Sequence, residues 1–184
     1  QTSLCYGEPD ILPIPIDHCL NPKSSYGISK TTGEFYLINS DLDYLSFRLA
    51  SVLAPGLLVG AIPTFYKRLK AGKDCFCSDS IRDFIGINDF LSLIDISLCE
   101  NSPRGVFNAS NGIGVSIKDL HDQIANILKI KSKKEPPIVE IGPEDVREVF
   151  LDPAETKKIL GWEAKENISQ SLKSLIDWYD QNGI

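Results

Sequence analysis

The segment from residue 24 to residue 52 constrains the fold most, because it predicts a helix that leads into a buried strand. Apolar side chains recur at helical spacing over residues 24–40, and the acidic turn at residues 41–43 ends the helix. Residues 45–52 then have the composition of a buried strand. Another short strand is predicted at residues 2–6, ahead of a proline-rich loop. Strand, helix and strand in this order are the unit of a parallel sheet, so the sequence predicts an α/β fold.

The rest of the chain adds shorter elements of both kinds. Pro63 and Gly72 mark the two ends of a helix, and Ser116 followed by Asp119 is typical of a capping box. Cys75-Phe-Cys77 alternates as a strand would, which places both thiols on one face. We predict strands over 74–77 and 106–109, a basic loop over 129–137, and helices over 62–71, 88–98 (capped by Asn88 or Asp89), 116–128, 152–161 and 168–182.

The net charge and the cysteine content of the chain indicate which kinds of partner and site to expect. The 184 residues carry a formal charge of −6, whereas nucleic-acid binding calls for a surplus of Lys and Arg. The five cysteines have no regular spacing, and His18 and His121 stand in unrelated contexts, so we predict free thiols and no metal site. Arg48 and Pro55 interrupt the most apolar stretch, which predicts no membrane span. Free thiols favour a reducing compartment, and no signal peptide is visible, so the predicted location is cytoplasmic.

The sharpest local signal is Tyr26 followed four residues later by Lys30. On a helix these two side chains share a face, so the phenol and the ammonium can serve one site. An ammonium nearby stabilises a phenolate, and a phenol that exchanges its proton can act as a general acid or base. The same spacing also arises where a tyrosine packs beside a solvated lysine, so the pair alone does not establish a site.

Six segments in register extend this signal over essentially the whole chain. They are Thr2-Ser-Leu-Cys-Tyr6-Gly7, similar to (S/T)xxxYG; Ser25-Tyr26-Gly27-Ile-Ser29-Lys30 with Glu34, similar to (S/P)YGxSKxxxE; Phe47-Arg48-Leu49; Arg82-Asp83-Phe84 with Asp89, similar to RDFIxVxD; Phe107-Asn108 with Gly112, similar to YNxGxG; and Leu160-Gly161-Trp162 with Trp178-Tyr179. In these segments the chain resembles the extended short-chain dehydrogenase/reductase family, in its NAD-dependent sugar-nucleotide epimerase/dehydratase branch, which includes UDP-glucose 4-epimerase.

The resemblance implies a role for each of five residues. Tyr26 would be the catalytic acid/base, and Lys30 would hydrogen-bond the nicotinamide ribose of NAD while favouring the phenolate of Tyr26. Thr2 stands where the family has the catalytic Ser/Thr that hydrogen-bonds the reacting sugar hydroxyl. Arg82 stands where the family contacts the substrate diphosphate, a task that suits a guanidinium fork. Ser51 is a substrate-side position at which many relatives carry Asn, so its contact to the nucleotide is open.

Two of these residues also have plain structural explanations. Arg82 could form a surface pair with Asp83, which follows it in the sequence. The hydroxyl of Thr2 could satisfy a backbone group at the end of the first strand.

The implied activity is that of an NAD-dependent epimerase, which transiently oxidises a sugar carbon, C4 by preference, of an NDP-hexose or hexuronic acid. The expected partners are a UDP-sugar or another nucleotide sugar and, for the full-length enzyme, a second subunit in a homodimer. Dehydratases of the family carry Asp-Glu directly after the catalytic Ser/Thr, and here those positions are Ser3 and Leu4, which disfavours dehydration. A reductase or dehydratase on the same scaffold, and a non-catalytic module that lacks the NAD-binding half, are the alternatives.

The resemblance also predicts how the chain divides. Residues 1–58, with contributions from 82–110, would form the C-terminal half of a Rossmann-like NAD domain, and residues 59–81 and 111–184 a smaller domain for the sugar nucleotide. The glycine-rich fingerprint of the NAD domain is not found, and Gly112-x-Gly114 matches a later turn of the family instead. We therefore expect the chain to be the C-terminal portion of a longer enzyme and to be inactive by itself.

Overall fold

The computed structural model describes residues 1–130 and 134–184, so residues 131–133 of the predicted basic loop lie outside the described part. The helices are α1 (Ser25–Ile38), α2 (Ala61–Lys70), α3 (Ile87–Ser97), α4 (Ile117–Ile127), α5 (Ala154–Leu160) and α6 (Ile168–Asn182). The strands are β1 (Leu45–Leu49), β2 (Ser51–Leu53), β3 (Cys77–Ser78), β4 (Ile81–Arg82), β5 (Phe84–Gly86), β6 (Gly105–Ala109), β7 (Val115–Ser116), β8 (Ile138–Val139) and β9 (Glu148–Val149).

The strands pair over long distances in the sequence. β1 pairs in parallel with β6, from Leu45 against Gly105 to Leu49 against Ala109. β2 pairs in parallel with β5, and β3 with β8. β4 lies between β7, which is antiparallel to it, and β9, which is parallel. Parallel pairs with helices between them confirm the predicted α/β class.

The single strand predicted over residues 45–52 is wrong at Ala50, where the chain changes its pairing partner. The N–H of Ala50 donates to the carbonyl of Ala109 at 2.9 Å, whereas the next N–H, of Ser51, donates to the carbonyl of Asp83 at 3.0 Å. The segment therefore leaves β6 and joins β5. This change of partner brings Ser51 to the side of the residues around Arg82.

The strand predicted over residues 2–6 is also wrong, because local hydrogen bonds replace a ladder there. Ser3–Cys5 form one turn of 3-10 helix. The hydroxyl of Thr2 caps this turn by accepting the N–H of Leu4 at 3.3 Å, and the N–H of Tyr6 returns to the carbonyl of Ser3. A hydroxyl side chain that bonds a nearby backbone group commonly favours a turn over a strand.

Three buried apolar clusters hold the elements together. The largest lies between α2, α4 and α6 and contains, among others, Phe65, Leu120, Ile124, Leu172, Leu175 and Tyr179. The second packs Cys5, Tyr6 and Ile14 against Val146, Val149 and Leu151. The third joins α3, β6 and α5 through Leu93, Phe107, Ala109, Leu160 and Trp162.

N-terminal caps were predicted for two helices, and one of these predictions is correct. The cap predicted at Ser116 is confirmed, since its Oγ accepts the N–H of Asp119 at 2.9 Å. The cap predicted at Asn88 or Asp89 is wrong, because α3 begins after Gly86 and the carboxylate of Asp89 serves a distant loop instead. It accepts the N–H groups of Lys165 and Glu166, each at 2.9 Å.

The cysteine pair lies as the alternation predicts. Cys75 and Cys77 are buried while Phe76 between them is exposed, so both thiols share the inner face. Burial raises the pKa of the Cys77 thiol to about 11. All five cysteines are free thiols. Within residues 1–130 and 134–184, no three side chains of His, Cys, Asp or Glu are grouped to hold a metal ion. None of the helices described there is long and apolar enough to cross a membrane.

Candidate active site

A cavity of about 340 Å³, which we call the small cavity, brings together four of the five residues that the sequence singles out. Thr2, Tyr26, Ser51 and Arg82 all line it, although they come from four separate segments of the chain. Lys30 does not line this cavity; it borders a groove between α1 and β1. The other lining residues of the small cavity are Gln1, Ser3, Leu4, Leu49, Ala50 and Val52.

A larger cavity of about 690 Å³ adjoins the small one, because Ser51, Val52 and Arg82 line both. Its volume is in the range of pockets that hold small organic ligands. Apolar side chains form most of its wall, some of them from β2, α2 and α4, and the hydroxyls of Ser78 and Ser80 add polar groups. Arg82 thus stands where the two cavities meet.

Sequence reasoning missed several residues of this large cavity. Ser78 and Ser80 stand on either side of a bend at Asp79, and their hydroxyls hydrogen-bond each other at 2.8 Å. Strand alternation could not have identified the two serines, because the N–H of Ser80 bonds back to the carbonyl of Ser78 at 2.8 Å and the backbone is not extended there. Ile141 and Asp145 also line the cavity, but they come from a loop after β8 and carry no local signal.

The position of Tyr26 is set by the cap and the close packing at the N-terminal end of α1. Ser24 caps the helix by accepting the N–H of Gly27 at 3.1 Å. Gly27 then packs directly on the segment that carries Thr2: a Cβ at this position would lie 3.0 Å from the carbonyl oxygen of Leu4. The absence of a side chain at Gly27 therefore lets α1 approach this segment, so that the half-exposed Tyr26 lines the same cavity as Thr2.

Lys30 lies one helical turn after Tyr26, on the same side of α1. Its Nζ is 5.7 Å from the centroid of the Tyr26 ring, a distance typical of a cation–π contact. The carbonyl of Lys30 accepts a hydrogen bond from the side-chain amide of Gln1. The lysine side chain itself is exposed, which leaves its ammonium accessible to a ligand.

Thr2 is buried, and its hydroxyl oxygen already accepts one backbone hydrogen bond from Leu4. The structural role proposed for this hydroxyl, satisfaction of a backbone group, is therefore present. That bond uses an oxygen lone pair and not the hydroxyl hydrogen. The O–H group can still donate to a ligand in the small cavity.

Arg82 is held by carbonyl groups, which leaves part of its guanidinium fork unused. Nη1 donates to the carbonyls of Ile81 at 2.8 Å and Arg147 at 3.1 Å. Burial lowers the pKa of Arg82, and the carboxylates of Asp145 and Glu8 only partly offset this effect. A half-buried guanidinium whose charge is incompletely neutralised is suited to an anionic ligand.

Asp83 faces away from Arg82 and ties three backbone segments together. Its carboxylate accepts the N–H groups of Asn111 at 3.3 Å, Gly112 at 3.2 Å and Leu151 at 3.3 Å. The alternative of an Arg82–Asp83 surface pair is therefore wrong, because Asp83 is only 3% exposed and bonds to backbone. Burial raises the pKa of Asp83 to about 6, and its N–H donors oppose this rise without cancelling it.

The raised pKa of Asp83 predicts a pH dependence of stability that Asp83→Asn removes. The pKa rises from 3.8 to about 6 on folding, so ionisation of this carboxyl favours the unfolded chain. Its contribution is fully present below about pH 4 and falls, by roughly 3 kcal/mol at most, as the pH rises to about 6. Urea unfolding at a series of pH values should show this fall in the wild type and in the exposed control Asp95→Asn, but not in Asp83→Asn. Parallel curves for wild type and Asp83→Asn would contradict the assignment.

Comparison with known proteins gives consistent matches over the whole chain. The family model described as GDP-mannose 4,6 dehydratase matches residues 1–175. The UDP-glucose 4-epimerase of Mycolicibacterium smegmatis is 26% identical over 188 residues, which are 95% of this chain and 58% of that protein.

Two solved structures superpose on all of this chain. The Bordetella bronchiseptica enzyme WbmG, crystallised with NAD and UDP, is 49% identical with a TM-score of 0.96, and 59% of its chain is covered. The UDP-glucose 4-epimerase of Thermotoga maritima, crystallised with UDP-glucose, is 26% identical with a TM-score of 0.87, and 63% of its chain is covered. The present chain thus spans about three fifths of the length of these three proteins.

Proposed function

Because the chain belongs to the GDP-mannose 4,6 dehydratase family of NAD-dependent nucleotide-sugar epimerases and dehydratases, we propose that its full-length protein is a nucleotide-sugar epimerase acting at C4. The substrate would be an NDP-hexose or hexuronic acid, with UDP as the preferred nucleotide. The observation that supports this most is the small cavity, where Thr2, Tyr26, Ser51 and Arg82 converge next to the large cavity.

In this proposal Tyr26 carries the proton and Thr2 orients the sugar. As the phenolate, Tyr26 would take the proton of the reacting hydroxyl and become the phenol, and it would return that proton when the sugar is reduced again, while the O–H of Thr2 would hydrogen-bond the same oxygen. Bound NAD would supply the reversible oxidation of the sugar carbon. The exposed ammonium of Lys30 lies one turn along α1 from Tyr26, which fits a hydrogen bond to the nicotinamide ribose.

The large cavity would take the nucleotide, and Arg82 the diphosphate that links it to the sugar. Arg82 lines both cavities, so one guanidinium can reach an anion at their junction. Ser51 lines both cavities too and would add a hydroxyl on the substrate side. That UDP is bound by WbmG and UDP-glucose by the Thermotoga maritima enzyme supports the choice of a uridine nucleotide.

The lining of the small cavity favours epimerisation over dehydration. Elimination of water requires acid and base groups at the carbons next to the oxidised one. Among the described residues that line the small cavity there is no Asp or Glu, and Ser3 and Leu4 follow Thr2. A reductase on this scaffold is the second candidate, because it would use the same tyrosine and threonine.

Other properties of the full-length protein are part of the proposal. Homodimerisation is supported by α1, which exposes Phe35, Tyr36 and Ile38 to solvent. The cytoplasmic location is supported by the free thiols. Residues 1–58 with 82–110 would serve the cofactor and the remainder the sugar nucleotide. The chain alone would not turn over substrate, since it has no glycine-rich fingerprint for NAD.

Arg82→Gln tests the nucleotide site in the present chain. We expect the variant to bind UDP about 10- to 100-fold more weakly in isothermal titration calorimetry, because a hydrogen bond to a charged group contributes roughly 1.5–3 kcal/mol. The matched control is Arg147→Gln, an exposed arginine that pairs with Asp79 at 2.9 Å. It should bind UDP like the wild type. If the Arg82 variant binds UDP within about threefold of the wild type, the diphosphate assignment is wrong.

A further inference from the structure

Helix α1 is attached to the rest of the molecule by an unusual face. Its buried residues are Gly27, Thr31 and Glu34, one on each turn, and none of them is a large apolar side chain. The apolar residues of its last turns, including Phe35, Tyr36 and Ile38, are exposed. Helices usually dock through an apolar stripe. Since α1 does not, polar contacts add to the close packing of Gly27 in fixing its position.

The strongest of these contacts is a buried ion pair between Glu34 and Arg48. The side chain of Glu34 is fully buried and that of Arg48 is 8% exposed. Arg48 Nη2 donates to Glu34 Oε1 at 2.6 Å and Nε donates to the same oxygen at 3.2 Å. Ser46 Oγ donates to Oε2 at 3.2 Å. The planar guanidinium therefore meets the carboxylate in a defined orientation.

The opposite side of Arg48 binds the segment that carries Thr2. Nη1 donates to the phenol oxygen of Tyr6 at 2.8 Å and to the carbonyl of Ile16 at 2.9 Å. The guanidinium carbon lies 4.9 Å from the centroid of the Tyr6 ring. The Tyr6 hydroxyl in turn donates to Asn108 Oδ1 at 2.7 Å, so the network reaches β6. Arg48 thus joins α1, β1, β6 and the segment before Gly7.

These bonds are directional, and they act on the helix that carries Tyr26. Glu34 lies eight residues after Tyr26, about 12 Å along the axis, and one turn after Lys30. A buried ion pair contributes little net stability compared with apolar residues of similar size. The pair does restrict the rotation and the axial position of the helix, because the guanidinium of Arg48 donates to the carboxylate in one geometry.

We propose that Glu34 and Arg48 are positioning residues that hold α1 in the rotation at which the phenol of Tyr26 faces Thr2 across the small cavity. The proposal rests on the proposed function, in which Tyr26 transfers the proton. Neither residue lines the small cavity, so both would act on the reaction indirectly, and the proposal assigns this action to the position of Tyr26.

The test is the double variant Glu34→Leu/Arg48→Met in the full-length protein, which removes both charges and leaves neither one buried alone. We expect cooperative unfolding as in the wild type, an unchanged KM for the UDP-sugar, and a kcat at least about 10-fold lower, because a displacement of about 1 Å can cost up to 100-fold in rate. The matched control Lys173→Met/Asp177→Leu removes an exposed ion pair on α6 and should keep the wild-type kcat.

A second measurement separates positioning from a general structural role. If the pair acts through Tyr26, then Tyr26→Phe must lower kcat by a smaller factor in the double variant than in the wild type. The proposal is overturned if Tyr26→Phe lowers kcat by the same factor in the wild type and in the double variant. It is also overturned if the double variant folds and its kcat is within about threefold of the wild type. Failure of the proposed function gives a different result: Tyr26→Phe alone would then leave turnover intact.

Should the double variant not fold, Glu34→Asp replaces it. This change keeps both charges and withdraws the carboxylate by one methylene. It should lower kcat and leave KM unchanged. In this background, Tyr26→Phe should lower kcat by a smaller factor than it does in the wild type. A folded Glu34→Asp variant with wild-type kcat overturns the proposal.

Discussion

Tyr26→Phe in the full-length protein is expected to lower kcat for a UDP-sugar by about 10²- to 10⁴-fold, the range that general acid–base groups contribute. Tyr26 is half-exposed at the wall of the small cavity, so loss of its hydroxyl removes the proton carrier without leaving a hole in a core. Binding of UDP should be unchanged, because Arg82 and the large cavity are untouched. Steady-state kinetics and calorimetry with UDP measure the two effects separately.

The matched control for this prediction is Tyr36→Phe. Tyr36 lies on the same helix and is 77% exposed, away from the small cavity. It should keep the wild-type kcat. A Tyr26 variant that retains kcat within a few-fold would show that the phenol does not transfer the proton, whatever the substrate.

Trp162→Ala is expected to cause the largest loss of stability among single substitutions outside the site, about 3–5 kcal/mol in the free energy of unfolding. The indole is 3% exposed and packs in the third cluster between α3, β6 and α5. Its Nε1 donates to the carbonyl of Asp89 at 3.1 Å and to Ser92 Oγ at 2.9 Å. The substitution therefore opens a cavity and removes the group that fixes α3 to the loop after α5. Urea unfolding followed by far-ultraviolet circular dichroism measures the loss.

The other tryptophan of the chain supplies the control. Trp178 lies at the edge of the largest cluster and is partly exposed, so Trp178→Ala removes less buried surface and should cost less. A loss at Trp162 of under about 1 kcal/mol, or one no larger than at Trp178, would contradict the role given to the third cluster.

The helices were predictable wherever the sequence carries local signals. α6 has the predicted bounds, and α4 begins at the predicted cap, because apolar periodicity and a capping hydroxyl act within a few residues. The orientation of α1 was not predictable in this way. Its apolar periodicity predicted the helix but not its buried face, which contains Glu34 and depends on a partner fourteen residues away, on β1.

The strands were less predictable, since their partners are distant in the sequence. The break at Ala50 exists because Ser51 finds its acceptor at Asp83, and no feature of residues 45–52 shows this. The turn at residues 3–5 replaced a predicted strand because the hydroxyl of Thr2 caps it. Such outcomes depend on tertiary pairing or on competition between local bonds.

The candidate site came from the family resemblance, and the fold adds the convergence of its parts. Thr2, Tyr26, Ser51 and Arg82 are spread over 81 positions and meet at one cavity. Their roles remain proposals. Asp145 was missed because a loop brings it to the large cavity, and loops of this kind carry no periodic signal.

The product formed by the full-length protein tests the central proposal most directly. Proton NMR of a reaction with NAD and a panel of UDP-hexoses and UDP-hexuronic acids resolves the configuration at C4. We predict that one substrate is converted to a mixture of its two C4 epimers with no net change in NADH absorbance, and that Tyr26→Phe abolishes this conversion. A 6-deoxy-4-keto product, net formation of NADH, or no conversion of any substrate would contradict it.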